Sequence, residues 1–319
     1  MNAKVPLPTG TMLGKSFEYG CDINVGTFTT PIWQPFRRIS GFQPTPTPQT
    51  QDAQTYDDLG APNNDVTGWG ISTGGEYKTK LGNFGLSLAY LAGNDADGGT
   101  DNEVTTGQYE LAAYWRGNWG GFHADARASG ARINFESDRR FIGTAAGAAV
   151  ERNAEAKWDG TLFSASAGMS YQIGFGRFSL RPTAAIDYYR LKEDGYAETG
   201  GGDAFNLTVD GRTSDELAAT GTVVAGFDFG GKDRDAGWMR AEIEGGRRQI
   251  IGGSMGATTA HFKDGADFTL LPEERTDGWV GKLRLVGGTS DFSVGGEFSA
   301  EEQQNRAAVA FRVSLHMGL

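Results

Sequence analysis

The connections between amphipathic strands alternate between short and long along most of this chain. From about residue 69 onward, eleven runs alternate apolar and polar residues. Short connections are predicted at 79–83, 118–121, 174–177, 230–236 and 287–291, and long ones at about 93–105, 136–159, 191–215, 251–275 and 299–305. Up-and-down barrels of outer membranes sort their turns and loops in this way, whereas a soluble sandwich has no reason to do so.

Two consecutive runs show the strand period most clearly. In residues 163–173 the odd positions are apolar, and after the turn at 174–177 the apolar residues of 178–188 fall on even positions. Because the side chains of a strand alternate between its two faces, each run has one apolar and one polar face. Bulky apolar residues on one face and charges on the other are expected when lipid lies outside and water or a plug lies inside.

An even number of strands requires one more than these eleven. The run from Phe17 to Val25 alternates in the same way, so a strand at about 16–26 is able to supply the twelfth. The sequence therefore predicts an all-β fold, an up-and-down antiparallel transmembrane β-barrel of about 12 strands. Its short turns are expected on the periplasmic side and its long loops on the extracellular side.

Composition excludes several classes of function. The net charge of −11 argues against a nucleic-acid partner, because phosphate binding needs a basic face. A single cysteine, Cys21, rules out an internal disulfide framework and a cysteine-based metal site, and the three histidines are far apart in sequence. No metal and no cofactor are predicted. Residues 1–10 have no basic end followed by an apolar run and a cleavage site, so no signal peptide is expected in this chain.

Nine charged residues fall on the polar face of the predicted strands. They are expected to face the lumen, either as a hydrophilic conduit or as mixed charges that satisfy one another. The second interpretation is the simpler for any one residue, because every water-filled barrel needs a polar inner face. The nine are Arg181, Asp187, Arg240, Glu242, Glu244, Lys282, Arg284, Glu297 and Arg312.

Six tryptophans lie near the ends of predicted strands. Amphipathic rings favour the headgroup level of a membrane, so these residues are expected to act as interface anchors. They are Trp69, Trp115, Trp119, Trp158, Trp238 and Trp279.

No catalytic residue is predicted, and the chain is not expected to be an enzyme. Residues 70–74 match G-x-S-x-G, but a nucleophile elbow needs a turn into a helix, whereas this run continues as a strand, so Ser72 is expected to face the lumen. Residues 10–16 are one residue short of a P-loop and lack its flanking strand and helix. One group of acids around a histidine lies at the predicted rim of the barrel. It is more simply explained as part of a solvated loop than as a catalytic site. That cluster is His261 with Asp264, Asp267, Glu273 and Glu274.

Three motifs resemble those of the C-terminal translocator barrel of autotransporters. They are Leu-Arg-Pro at 180–182, Glu-Thr-Gly-Gly at 198–201 and Asp-Gly-Arg-Thr-Ser-Asp at 210–215, in the family's order. The resemblance covers about 67–319. It implies type V secretion, in which a monomeric, porin-like barrel in the outer membrane of a Gram-negative bacterium supports protein transport of a passenger polypeptide. It also implies outer-membrane lipid and the barrel-assembly machinery as partners.

Two family features differ in this sequence. Such barrels usually end on an aromatic residue that the assembly machinery recognises, whereas residues 316–319 read His-Met-Gly-Leu. No passenger is visible before the first strand. The resemblance therefore leaves the passenger unidentified.

Residues 1–66 resemble a different family, the N-terminus of phage tail tube subunits. The likeness rests on Leu-Pro-Thr-Gly-Thr at 7–11, Gly-Lys-Ser-Phe-Glu-Tyr-Gly at 14–20 and the run at 54–63. Two parts are thus predicted, a Pro-rich, phage-tail-like segment at 1–66, able to supply one strand, and an autotransporter-like barrel at 67–319. The alternatives are a phage tail tube subunit of the virion and a small-solute outer-membrane pore.

Overall fold

The computed structural model describes residues 19–28, 64–97, 102–145, 148–230, 237–272, 277–289, 292–303 and 306–318, and its regular structure there is entirely β. The strands are β1 (Tyr19–Phe28), β2 (Asn64–Thr79), β3 (Gly82–Asp97), β4 (Asn102–Trp119), β5 (Phe122–Ala145), β6 (Ala148–Tyr171), β7 (Ile173–Phe175), β8 (Phe178–Glu193), β9 (Tyr196–Ala197), β10 (Leu207–Val209), β11 (Arg212–Asp228), β12 (Trp238–Gly252), β13 (Thr258–Phe262), β14 (Phe268–Leu270), β15 (Gly278–Gly288), β16 (Phe292–Gln303) and β17 (Arg306–Gly318).

Twelve of these strands close into a ring. Its order is β1-β2-β3-β4-β5-β6-β8-β11-β12-β15-β16-β17, and every neighbouring pair is antiparallel. β1 closes it, because β1 pairs with β17 on one side and with β2 on the other. The predicted twelve-stranded up-and-down barrel is confirmed, and its twelfth strand lies where the alternation from Phe17 to Val25 indicated.

The strand ends that flank the five connections predicted to be short all lie at one end of the barrel, the short-turn end. β2 and β3 are joined by residues 80–81, and β4 and β5 by residues 120–121. The turn into β8 contains Gly176 with φ of 68°, a left-handed conformation that glycine adopts without steric cost.

The opposite end, the long-loop end, differs in part from the predicted loops. β5 and β6 remain paired as far as Ala145 and Ala148, and β3 and β4 as far as Asp97 and Asn102. The loops predicted at 93–105, 136–159 and 299–305 are therefore wrong, since most of those residues extend the strands, in β16 as far as Gln303. Their polar character suggested loops, but strands that project beyond a membrane are also expected to be polar on both faces.

The other two long connections form a sheet of their own. β9 and β10 come from the β8–β11 connection, and β13 and β14 from the β12–β15 connection. They pair in the order β14-β13-β10-β9 around buried Leu207, Val209 and Ala260. We call this four-stranded unit the loop sheet.

The two faces of the barrel wall are inverted relative to a soluble core. Large apolar side chains such as Leu111, Phe163 and Leu283 are exposed, whereas polar ones such as Glu110 and Asp187 are buried. Among the described residues, no helix is long and apolar enough to cross a membrane.

An uncharged stretch of the outer surface is continuous from strand to strand. The outward positions within 109–119 of β4, 163–171 of β6 and 178–188 of β8 carry no charged residue. We call this surface the apolar belt. Ten residue steps along β8 correspond to about 33 Å of strand at 3.3 Å per residue. At the usual tilt of about 40° this gives roughly 25 Å along the barrel axis, the height of the apolar band of outer-membrane barrels.

A charged network in the lumen as the candidate functional site

Four charged residues form one row across four adjacent strands. Glu242 on β12 lies opposite Arg284 on β15, which lies opposite Glu297 on β16, and Glu297 lies opposite Arg312 on β17. All four lie on the inward parity of their strands, so acid and base alternate around the inner wall.

Charge-assisted hydrogen bonds connect this row. The Arg284 guanidinium donates from Nη1 to Glu242 Oε2 at 3.1 Å and from Nε to Glu297 Oε2 at 2.8 Å. Arg312 Nη2 donates to Glu297 Oε1 at 2.7 Å. Such ion pairs are short and directional, and they fix side chains that would otherwise be free in a water-filled lumen. The carboxylate of Glu297 thus joins two arginines from neighbouring strands.

A second branch starts at Glu242 and reaches β8 and β11. Arg240 Nε donates to Glu242 Oε1 at 2.8 Å, and its Nη1 lies 2.9 Å from Asp228 Oδ1. Arg240 Nη2 also donates to the Ser179 hydroxyl at 2.6 Å. Arg181 lies 3.3 Å from the same Glu242 carboxylate. One glutamate therefore faces three arginines from three strands.

Glu244 completes the charged set at the next inward position of β12. It accepts a hydrogen bond from Thr222 Oγ1 at 2.7 Å, and its carboxylate lies 3.5 Å from Lys282 Nζ. The structure thus places eight of the nine predicted lumen residues on one side of the inner wall. Sequence alone did not identify Asp228, Ser179 and Thr222 as their partners.

The ninth residue, Asp187, is also buried, but lies apart from this set. It is 1% exposed on β8 and pairs in register with Ser166 and Ala218.

A polar cluster on β4, β5 and β6 was not predicted. Arg127 forms an ion pair with Glu110, and both side chains are buried. Ser129 donates to the second Glu110 oxygen at 3.0 Å and lies 2.6 Å from the Ser164 hydroxyl. The only sequence signal was that Glu110 and Arg127 fall on the inward parity of their strands.

The loop sheet is joined to the barrel by a buried ion pair and by a buried arginine. Arg139 donates to Glu198 through Nε at 2.9 Å and Nη2 at 2.6 Å, and Glu198 also accepts from the Leu207 amide at 2.8 Å. Arg212 on β11 is held by the barrel residue Glu193, to whose Oε2 its Nε donates at 2.8 Å, and its Nη1 donates to the Thr258 hydroxyl of the loop sheet. Glu198 and Arg212 belong to the Glu-Thr-Gly-Gly and Asp-Gly-Arg-Thr-Ser-Asp motifs, so these motifs hold the connections in place.

Trp158 does not lie at the outer surface. It is 6% exposed and is stacked between Phe135, at 5.1 Å between ring centroids, and Tyr196, at 4.2 Å. The predicted interface position of Trp158 is therefore wrong, because the inward parity of β6 directs it into an apolar cluster. Burial raises the pKa of the Tyr196 phenol, and the carboxylate of Glu198 raises it further.

The other five tryptophans lie on the outward parity or at strand ends. Trp69, Trp119 and Trp279 are about half exposed or more, at 50%, 48% and 63%. Trp115 and Trp238 are half-buried, and their indole N–H groups donate to the carbonyls of Leu81 at 3.0 Å and Thr289 at 3.3 Å. A role for these five as interface anchors stays a prediction.

The sequence motifs that resemble catalytic sites do not form a catalytic arrangement within the described residues. Ser72 is buried within β2, opposite Ala89 of β3. His261 lies in β13 with its Nδ1 3.4 Å from the exposed Asp267 carboxylate, whereas Glu273, Glu274 and residues 10–16 lie outside the described residues. Within the described ranges, no group of three or more His, Cys, Asp or Glu side chains is placed to hold a metal ion.

Comparison with known proteins gives matches that span most of the chain. A family model described as "Autotransporter beta-domain" matches residues 48–299. The translocator domain of the autotransporter NalP from Neisseria meningitidis superposes with a TM-score of 0.63 at 15% identity, covering 94% of this chain and 87% of that one. The β-domain of the Bordetella autotransporter BrkA gives a TM-score of 0.59 at 12% identity, covering 95% and 100% of the two chains.

A curated relative matches over a shorter stretch. It is the esterase EstA of Pseudomonas aeruginosa, 25% identical over 144 residues, which is 44% of this chain and 22% of that protein. This chain therefore spans well under a third of the length of the curated relative that it matches.

Proposed function

Since this chain belongs to the autotransporter β-domain family, and is thus an outer-membrane translocator barrel, we propose that a passenger polypeptide is exported through its lumen. The observation that carries the proposal is the inverted barrel wall, with charged side chains inside and an uncharged surface outside. The passenger itself is not identified by this chain.

The apolar belt supports insertion in a lipid bilayer. Its height of roughly 25 Å equals that of the apolar band of outer-membrane barrels. Exposed tryptophans such as Trp119 and Trp279 lie toward its edges, where amphipathic rings favour the headgroup level. Lipid is therefore proposed as the partner of the outer face.

The charged network supports passage of an unfolded chain. Glu242 and Glu297 are each shared among several arginines, so the network is held together by its own ion pairs. Such a wall presents both positive and negative side chains to a sliding polypeptide. It has no single site that would bind a positive or a negative segment strongly. An apolar wall would instead retain apolar segments, and a wall of one charge sign would retain segments of the opposite charge.

The closed ring supports a monomer that is assembled by the barrel-assembly machinery. In a complete ring no strand edge remains for another copy to pair with. β17 pairs with both β16 and β1. We propose that β17 is the strand that the assembly machinery recognises, even though the chain ends His-Met-Gly-Leu.

The division of the chain at residues 66 and 67 remains a proposal. β1 comes from the N-terminal part, and β2, which begins at Asn64, runs across the proposed boundary. The family match also begins before it, at residue 48.

Catalysis is not part of the proposed role. The esterase named in the comparison is a much longer protein, and the match covers 22% of it. The proposed role of the barrel needs only its wall, its lumen and its loops.

A surface-display experiment tests the export function. The chain is expressed in a Gram-negative host with an added signal peptide and an epitope-tagged passenger fused before residue 1. External protease should remove the epitope from intact cells and leave the barrel in the outer membrane. An epitope that stays protected in cells whose barrel is folded would contradict export. A steady unblocked conductance of the purified barrel in planar bilayers would favour a small-solute pore instead.

A further inference from the structure

Three cations face outward at the edge of the apolar belt, on the side of the long-loop end. Arg132 on β5 and Lys192 on β8 lie in one register row, with Thr161 of β6 between them. Arg190 precedes Lys192 by two residues on β8, and therefore lies on the same face. Neighbouring strands are about 4.8 Å apart, so the Cα atoms of Arg132 and Lys192 are about 10 Å apart. We call these three residues the cationic patch.

The charges of the patch are not fully neutralised by the protein. Arg190 and Lys192 are exposed, and no ion pair or hydrogen bond joins either side chain to another described residue. Asp215 lies opposite Arg190 in register, but its Oδ1 accepts hydrogen bonds from the Ser254 amide at 2.9 Å and hydroxyl at 3.2 Å.

Arg132 is only partly neutralised. One of its Nη atoms donates to Asp159 at 2.5 Å, and Asp159 is shared with Asn134 at 2.6 Å. With Asp159 beside Arg132 and Asp215 opposite Arg190, one net positive charge remains at the edge of the belt.

Aromatic rings lie beside and below the cations. Phe163 pairs in register with Arg190, and its ring is 6.3 Å from that of Tyr188. Below these rings, the outward positions of β5, β6 and β8 are uncharged down to the short-turn end. The order along the surface, from cations to aromatic rings to aliphatic side chains, is the order of phosphate, glycerol or sugar backbone, and acyl chain in a lipid.

From this arrangement we propose that the cationic patch binds the phosphate groups of lipid headgroups in the leaflet at the long-loop end. The inference rests on the proposed insertion of the barrel in the outer membrane. A guanidinium binds phosphate through two parallel N–H donors, and an ammonium adds a point charge beside it. Lipids that carry two phosphates, such as lipid A, fit a patch with two exposed cations about 7 Å apart along β8.

The test compares Arg190→Gln/Lys192→Gln with the single variant Arg177→Gln. Arg177 is an exposed cation at the short-turn end, so it controls for loss of positive charge. The purified full-length barrel in neutral detergent is titrated with bis-phosphorylated lipid A, and bound lipid is counted by native mass spectrometry. The double variant should bind about 25-fold more weakly, because each cation beside an anionic lipid contributes on the order of fivefold. The Arg177 variant should bind as the parent does.

Two further measurements show whether a negative result contradicts the lipid site or the membrane barrel itself. Unchanged lipid A binding by the double variant, or an equal loss in the Arg177 variant, would overturn the patch. Displacement of lipid A by equimolar inorganic phosphate would show a free-anion site and overturn the lipid assignment. Each protein is also run on gels with and without boiling. A parent chain without a heat-dependent shift would contradict the membrane barrel itself, whereas folded variants with unchanged binding contradict only this inference.

Discussion

At the residue scale, the lumen depends on a few carboxylates that each serve several cations. Glu297 faces Arg284 and Arg312, and Glu242 faces Arg181, Arg240 and Arg284. The inward position of these residues was predictable from parity. Their pairing was not, because it depends on the register between strands that are distant in sequence.

Glu297→Gln should lower the free energy of unfolding by about 3–5 kcal/mol, because it leaves two largely buried arginines without their shared carboxylate. Urea unfolding in detergent, followed by tryptophan fluorescence, measures the change. The control is Glu136→Gln, which breaks the exposed Glu136–Lys157 pair and should cost less than about 1 kcal/mol. Equal effects of the two substitutions would mean that Glu297 is solvated.

Gln108→Leu should stabilise the barrel by about 1–3 kcal/mol. The Gln108 amide is fully buried, with no hydrogen-bond partner among the described residues, and pairs in register with Leu91 and Ile133. A leucine of similar size removes the cost of desolvating the amide. The same unfolding assay applies, and a lower stability would show that a group outside the described residues satisfies this amide.

At the element scale, strands were easier to predict than loops. Period two identified the barrel strands, since lipid on one side forces alternation. The loop sheet was not predictable, because its strands are only two to five residues long and pair between two connections separated by β11 and β12. The extensions of β5 and β6 were mistaken for loops because they lack the apolar outward face that marks the membrane-spanning part.

Glu198→Ala should free the β9–β10 connection without opening the barrel. Glu198 accepts two hydrogen bonds from Arg139 and one from the Leu207 amide. Limited proteolysis should then cut within residues 194–211 at least about tenfold faster, as expected for a connection whose local unfolding has become easier. Asp203→Asn, which breaks an exposed pair with Lys263, is the control and should leave cleavage unchanged.

At the scale of the whole molecule, closure of the ring depends on β1. This strand pairs over nine positions with β17 and ten with β2. Its existence was predicted from the alternation in residues 17–25 and from the need for an even number of strands. What the sequence did not determine is which inward residues meet across the lumen.

Removal of residues 1–28 should abolish folding in detergent, because β2 and β17 would both present unpaired edges. The expected result is loss of the faster-migrating band in unboiled samples and formation of aggregates. Removal of residues 1–18 alone, which retains β1, should keep the band. A heat-dependent shift in the longer truncation would mean that β2 and β17 can pair directly.

One row of inward residues that pair in register from strand to strand is charged on one side of the barrel and largely apolar on the other side. Charges alternate from Glu242 to Arg312, the row passes through Gly26 and Gly70, and it continues as Leu91, Gln108 and Ile133. Because a register row climbs around a barrel of tilted strands, a chain in transit would meet the charged wall nearer the short-turn end and the apolar wall nearer the long-loop end. Neither wall binds every residue of a passenger segment. The resistance to sliding would therefore depend little on the passenger's sequence, and one barrel could export many different passengers.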